Sequence, residues 1–207
     1  MFTEKILVLG IGNILWADEG FGVRAAEKLY KEYHIPDNVK VLDGGTQGLY
    51  LLHYVQTAKR IIIFDAIDYG LPAGTMKVLY DDDVPAFMGA KKMSLHQTGF
   101  QDVLATAKIT GKYPEKLTLI GVQPALLDDF GGSLTETVKA QVEPAVEFAI
   151  KELDKWDAQL FPRMYPLVVG LEDQALEMLN YETGRPSQEE AFRGGDSRFI
   201  SSDKNKR

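Results

Sequence analysis

The stretch that most constrains the fold is Lys5 to Val23, KILVLGIGNILWADEGFGV. Ile6 to Leu9 is an apolar run of the length expected for a buried strand. Gly10-Ile11-Gly12-Asn13 then turns the chain. Asp18 and Glu19 stand just before Gly20, and Gly22 and Val23 lead into a helical pattern. A strand, a glycine turn and a helix start are how an open α/β domain begins, and ligands in such domains sit where the strands end. In this chain that position carries carboxylates.

The rest of the chain supplies the remaining elements of such a domain. Val23, Ala26, Tyr30 and Tyr33 recur at helical spacing, with Pro36 marking the end. Val39 to Leu42 reads as a second strand that runs into Asp43-Gly44-Gly45-Thr46. Leu49 to Thr57 reads as a helix with Leu49, Leu52 and Val55 facing inward. Arg60 to Phe64 is the strongest strand signal. It is apolar on both faces, so it belongs in the centre of the sheet, and it ends at Asp65. Met76 to Tyr80 alternates as a less buried strand and follows its neighbour through a short turn, which suits antiparallel pairing. Asp81 to Leu95 reads as irregular, with His96 at its end. Phe100, Val103, Leu104 and Ala107 then share a helix face.

Leu117 to Val122 is the last strand expected. Ser133 and Glu136 have capping-box spacing ahead of a long helix whose buried face includes Val138, Val146 and Leu153, and Pro144 should kink or split that helix. Periodicity fades after about Trp156. The order predicts an α/β domain over residues 1–156: a three-layer, open, mostly parallel twisted sheet with helices on both faces. Residues 157–207 read as a C-terminal extension, with a short helix within Phe161 to Leu179 and a flexible polar tail from Tyr181 onward.

Composition narrows the function. The chain has 207 residues and no cysteine. That excludes disulfides, thiolate metal sites and a cysteine nucleophile, and it suits a cytoplasmic protein. A net charge of −7 argues against nucleic acid or an anionic membrane as partner. No apolar run reaches the length of a membrane span, and the N-terminus carries an acid with no small-residue cleavage site.

Three residues stand out. Glu19 lies beyond strand one, Asp65 at the end of strand three and His96 after a long loop. Two carboxylates and an imidazole brought to one sheet edge can hold a divalent transition metal with positions left open. The same residues also suit plainer roles: Glu19 an acid at a helix N-terminus, Asp65 an N-cap, and His96 a satisfied polar side chain. A dinucleotide site is a rival reading of Gly10-x-Gly12 with Asp43. However, Leu15 occupies the third glycine position, and Asp18 and Glu19 would repel a pyrophosphate. No serine stands in a G-x-S-x-G pattern.

The segments LVLGIGNILWADEGFGV, VLDGGTQGL, FDAIDYGLPAGTM, KKMSLHQTGF and LTLIGVQP resemble the nickel-iron hydrogenase maturation endopeptidases. Those enzymes remove a C-terminal extension from the hydrogenase large-subunit precursor. The wording of WADEGFGV and GVQPALLDDFGGSL is similar to the branch serving membrane-bound uptake hydrogenases. The resemblance runs from about Lys5 to Leu153. It implies that Glu19, Asp65 and His96 are the catalytic, metal-contacting residues. It also implies that the metal is nickel supplied by the substrate precursor, with no tightly bound cofactor of the chain's own. A processing endopeptidase is the function expected. A non-catalytic chaperone or binding module for the same precursor is the alternative, and the intact three-residue set favours the enzyme.

Overall fold

The computed structural model describes residues 5–90, 95–171 and 173–184. Five strands form one sheet: β1 (Ile6–Ile11), β3 (Val39–Gly45), β4 (Arg60–Ala66), β5 (Met76–Tyr80) and β6 (Lys116–Val122). Their order across the sheet is β3-β1-β4-β6-β5. All pairings are parallel except β5 with β6. Helices α1 (Phe21–Glu32), α5 (Glu136–Lys139) and α6 (Val142–Lys155) cover one face, and α2 (Leu52–Thr57) and α4 (Leu95–Ile109) cover the other. The expected three-layer architecture is therefore present.

Strand alternation explains the two cores. In β4, Ile62 and Phe64 enter one core while Ile61 and Ile63 enter the other, and all four are fully buried. A strand buried on both faces has no polar side to turn to solvent, so a run of apolar residues fits only the sheet centre. In β1, Ile6 and Val8 face the α1 side, and Leu7, Leu9 and Ile11 face the α4 side.

Several local expectations need correction. Helix α1 ends at Glu32, and Tyr33–His34 form the short strand β2. The second helix begins as a 3₁₀ turn, Gly48–Leu51, which leaves Leu49 exposed and buries Leu51 in its place. Strand β5 pairs with β6 rather than β4, because β1 and β6 already occupy both edges of β4. The stretch read as irregular holds helix α3 (Asp83–Ala90). Ser133 is not a cap: Thr135 precedes α5, and the Ser133 hydroxyl bonds Glu182 at 2.8 Å instead. The long helix does split, but at Ala140-Gln141. Pro144 falls in the first turn of α6, where its missing N–H would have had no helical partner anyway.

The chain after α6 folds back over α1. Strand β7 (Phe161–Pro162) pairs antiparallel with β2, and helix α7 runs Met178–Gly184. Residues 181–184, expected in a polar tail, are thus helical. Arg24 of α1 donates to the Leu176 carbonyl at 2.6 Å, Lys31 pairs with Glu177 at 2.9 Å, and Lys139 pairs with Glu182 at 2.8 Å.

Ile62 tests the central-strand assignment. Ile62→Ala removes a fully buried side chain beneath α1 and α6 and is expected to lower unfolding free energy by about 2–5 kcal/mol, read by urea denaturation. A loss under about 1 kcal/mol would place the core elsewhere.

Candidate active site

Among the parallel strands the order reverses direction once. From β1 the chain moves outward to β3, then returns to β4 on the other side of β1. The carboxyl ends of β1 and β4 therefore flank the switch point, where the two connections part onto opposite faces and leave a crevice. Glu19 and Asp65 sit at this place.

Glu19 lies in a 3₁₀ turn, Ala17–Gly20, that follows β1 and runs directly into α1. The turn is held by backbone geometry only glycine allows. Gly12 has φ +135°, and a side chain there would strike the Glu19 carbonyl, which accepts the Asn13 N–H at 3.1 Å. Gly22, in the first turn of α1, lies against the carbonyls of Ile11 and Phe64. Phe64 immediately precedes Asp65, so the contact that seats α1 also brings the Glu19 turn to the end of β4. These glycines serve helix–sheet packing, and the helix start is closed against β4. That removes the structural basis of the dinucleotide reading.

Asp65 lies at the end of its strand, as expected, one residue before Ala66 closes it. It lies within β4, fully buried, paired in register with Gly121 of β6. The missing side chain at Gly121 leaves room for the Tyr69 hydroxyl. Burial first, and the negative charge of Asp65 second, push the Tyr69 phenol well above its ordinary range. The loop carrying Tyr69 is pinned by Gln123, whose Oε1 accepts the Tyr69 N–H at 2.7 Å and whose Nε2 donates to Asp68 at 3.0 Å. Tyr69 lies in the loop that follows β4, where the sequence gives it no mark. Its position four residues beyond Asp65 gave no periodic signal.

His96 lies in the first turn of α4, not at the end of a loop; its side chain lies outside the described residues. Topology still places its backbone. Helix α4 leads into β6, so it runs opposite to the parallel strands. Its 15 residues span about 22 Å, matching the roughly 23 Å of a seven-residue strand. The helix N-terminus therefore returns to the carboxyl edge of the sheet. Gly99, one turn past His96, packs against Gly48 in the 3₁₀ turn after β3.

Two further acids shape the corner. Asp18 is fully buried. Its Oδ2 accepts the N–H groups of Ala125 (2.8 Å) and Leu126 (2.9 Å) and the Thr135 hydroxyl (3.1 Å), and its Oδ1 accepts the Thr135 N–H (2.7 Å). It thereby fastens the Glu19 turn to the loop after β6. Asp43, in β3, keeps Oδ1 buried with no hydrogen-bond partner among the described residues. Burial raises its carboxyl above the ordinary value, opposed by a Gly45 N–H and the charge of Arg24. The other histidines are plain: His34 Nδ1 meets Arg163 at 3.2 Å, and His53 stacks edgewise on Tyr54.

Asp18→Asn puts an amide NH2 against N–H donors whichever way the amide is turned. It is expected to cost about 1–3 kcal/mol by urea unfolding. An unchanged midpoint would mean the clamp does not hold this corner.

Asp43 sets a pH dependence. Its folded carboxyl binds its proton more tightly than the unfolded one, so its contribution to stability falls as pH rises from the ordinary value of 3.8 through the raised folded value. Asp43→Asn removes that fall. Its stability relative to the parent should climb across the interval and level off above it, in urea titrations at stepped pH. A flat difference would refute the assignment.

A family model described as hydrogenase maturation protease matches residues 23–152. The hydrogenase expression/formation protein HupM of Azotobacter chroococcum mcd 1 is 57% identical over 198 residues, 96% of this chain and 94% of that protein. An alignment of that length takes in most of residues 157–207, so the relationship extends beyond Leu153, where the motifs had placed its limit. The hydrogenase 2 maturation protease of Escherichia coli K12 is 46% identical over 160 residues, 77% of this chain and 96% of that one. The solved structure of the hydrogenase maturating endopeptidase HybD from E. coli superposes with a TM-score of 0.74 at 45% identity, covering 77% of this chain and 98% of that chain. With this matched span, this identity and this shared fold, the chain belongs to the hydrogenase maturation protease family.

Proposed function

We propose that this hydrolase removes the C-terminal extension of a nickel-iron hydrogenase large-subunit precursor that already carries nickel, with Glu19, Asp65 and His96 meeting the ion. The observation that carries the reading is the meeting of the Glu19 turn and the end of β4 at the switch point, with the α4 N-terminus returned to the same edge. Identity of 46% to the hydrogenase 2 maturation protease of E. coli supports a hydrogenase protein as the substrate.

The donor set fits an ion that is shared. Two carboxylates and an imidazole are oxygen and nitrogen donors, and the chain has no thiolate to add. Three such ligands hold nickel weakly against competitors. Thiolates on the precursor complete the sphere, and the ion arrives as part of the substrate. Nickel supplies Lewis acidity at the scissile carbonyl. The chain supplies position: Asp65 is held rigidly in the central strand, and Glu19 in a turn bolted to a second loop. A cytoplasmic site of action is part of the proposal; separately, among the described residues no helix is long and apolar enough to cross a membrane.

The test pairs metal analysis of the purified protein with a cleavage assay on nickel-loaded and nickel-free precursor, read as mass loss. Little bound nickel and cleavage of the loaded precursor alone are expected. Glu19→Gln, Asp65→Asn and His96→Ala should each slow cleavage on the order of 10²–10³-fold, the effect of removing one electrostatic stabiliser from a reaction centre. Because Asp65 is buried in a strand, the isosteric Asn is the informative change there. Stoichiometric zinc with efficient cutting of nickel-free precursor would make this an ordinary metallopeptidase. Binding of loaded precursor without mass loss would favour the chaperone reading.

A further inference from the structure

Two loops meet beside the Glu19 turn and expose apolar side chains together. Trp16 and Phe130 form a backbone bridge, and their rings pack edge to face at 5.3 Å. Around them the Gly131 N–H reaches the Leu15 carbonyl at 2.7 Å, the Ala17 N–H reaches Gly132 at 3.2 Å, and the Asp18 N–H reaches Leu126 at 3.1 Å. Leu126, Leu127 and Phe130 on one loop, with Leu15 and Trp16 on the other, are 36–55% exposed. The pair is fixed from below by the buried Asp18 carboxylate and from the side by Glu182, which accepts the Ser133 hydroxyl. Apolar side chains left at the surface by so many hydrogen bonds are not a product of loose packing. Contiguous exposed apolar surface of this kind marks a binding face.

We infer that this Trp16–Phe130 wall is the docking surface for an apolar segment of the protein substrate, next to the bond that is cut. The inference rests on the proposed endopeptidase reading, which brings a protein chain to Glu19. Continuity selects the occupant. Trp16 is three residues from Glu19, and its carbonyl accepts the Glu19 N–H at 2.9 Å, so a chain reaching Glu19 runs past Trp16. Asp128, exposed in the same loop, puts negative charge on the rim and selects against an acidic segment. A rigid aromatic anchor of this sort concentrates binding energy in few residues, because little side-chain freedom is lost on contact.

The experiment measures cleavage of nickel-loaded precursor and, separately, its binding to a Glu19→Gln background, in which cleavage is slow enough for binding to be read first. Trp16→Ala with Phe130→Ala should raise KM and weaken binding about tenfold or more, with kcat within about twofold and an unchanged melting temperature. Trp16→Leu, which keeps an apolar side chain, should recover most of the loss. Met164→Ala, at an exposed apolar residue in the extension, should behave as the parent. Unchanged KM and unchanged binding in the double variant would overturn the wall while leaving the protease reading intact. Parent protein that binds the loaded precursor through the wall without cutting it would overturn the protease reading alone. If the double variant does not fold, Phe130→Ser alone carries the same comparison. A parent dimer in sedimentation, dissolved by the double variant with cleavage unchanged, would assign the wall to a second copy and overturn the inference.

Discussion

The corner of the molecule proposed to carry the chemistry depends on one buried carboxylate. Asp18 accepts four hydrogen bonds from three residues that lie more than a hundred positions away in sequence. A charged group taken out of water is tolerable only when its lone pairs are filled, and here both oxygens are used. The result is that the turn after β1 and the loop after β6 behave as one body. Glu19 follows Asp18 directly, and Ala17 before it is held at φ +44°, a left-handed conformation that a non-glycine residue keeps only when its surroundings enforce it. The site is therefore placed by tertiary hydrogen bonding more than by the helix that follows it.

The second support is the sheet itself. β4 is flanked on both edges and covered on both faces, so Asp65 is among the least movable side chains in the protein. One acid comes from a clamped turn and one from the central strand. The distance between them is set by Gly22 of α1 lying against Phe64, a contact that even one extra carbon would open. Preorganisation of this kind is what allows weakly held ligands to contribute to catalysis, since the geometry is established before the substrate arrives.

Much of this was legible in the sequence, for physical reasons. An apolar run such as Arg60 to Phe64 fits only a central strand, and the carboxylates at strand ends followed from the order of elements. The pairing of β5 was not legible, because a short turn indicates antiparallel geometry but not which neighbour has a free edge. Helix α3 was hidden by Pro85 and Gly89, which disfavour a helix interior, although Pro85 lies in the first turn of α3. Asp18 could be seen but not understood: its partners are distant, and a sequence does not show which of two adjacent acids turns inward. The packing of residues 161–171 and 173–184 on the domain was missed because it rests largely on backbone bonds and ion pairs, with few buried apolar residues to give a period.

The absence of cysteine acquires a meaning beside this geometry. A chain that owned a complete set of nickel ligands would hold the ion whether or not a substrate was present, and its activity would report nothing about the substrate. On the proposed reading, Glu19, Asp65 and His96 supply half a coordination sphere, and the precursor supplies the ion and the softer half. Without nickel, the two proteins share only surface contacts such as the Trp16–Phe130 wall, which can bind a segment but cannot orient a carbonyl. Binding and cutting are then governed by different parts of the molecule. The wall sets how readily a precursor docks, and the shared ion decides whether the docked bond is held in reach. That division makes cleavage a check on metal insertion, because uniform binding alone does not lower the barrier to the chemical step.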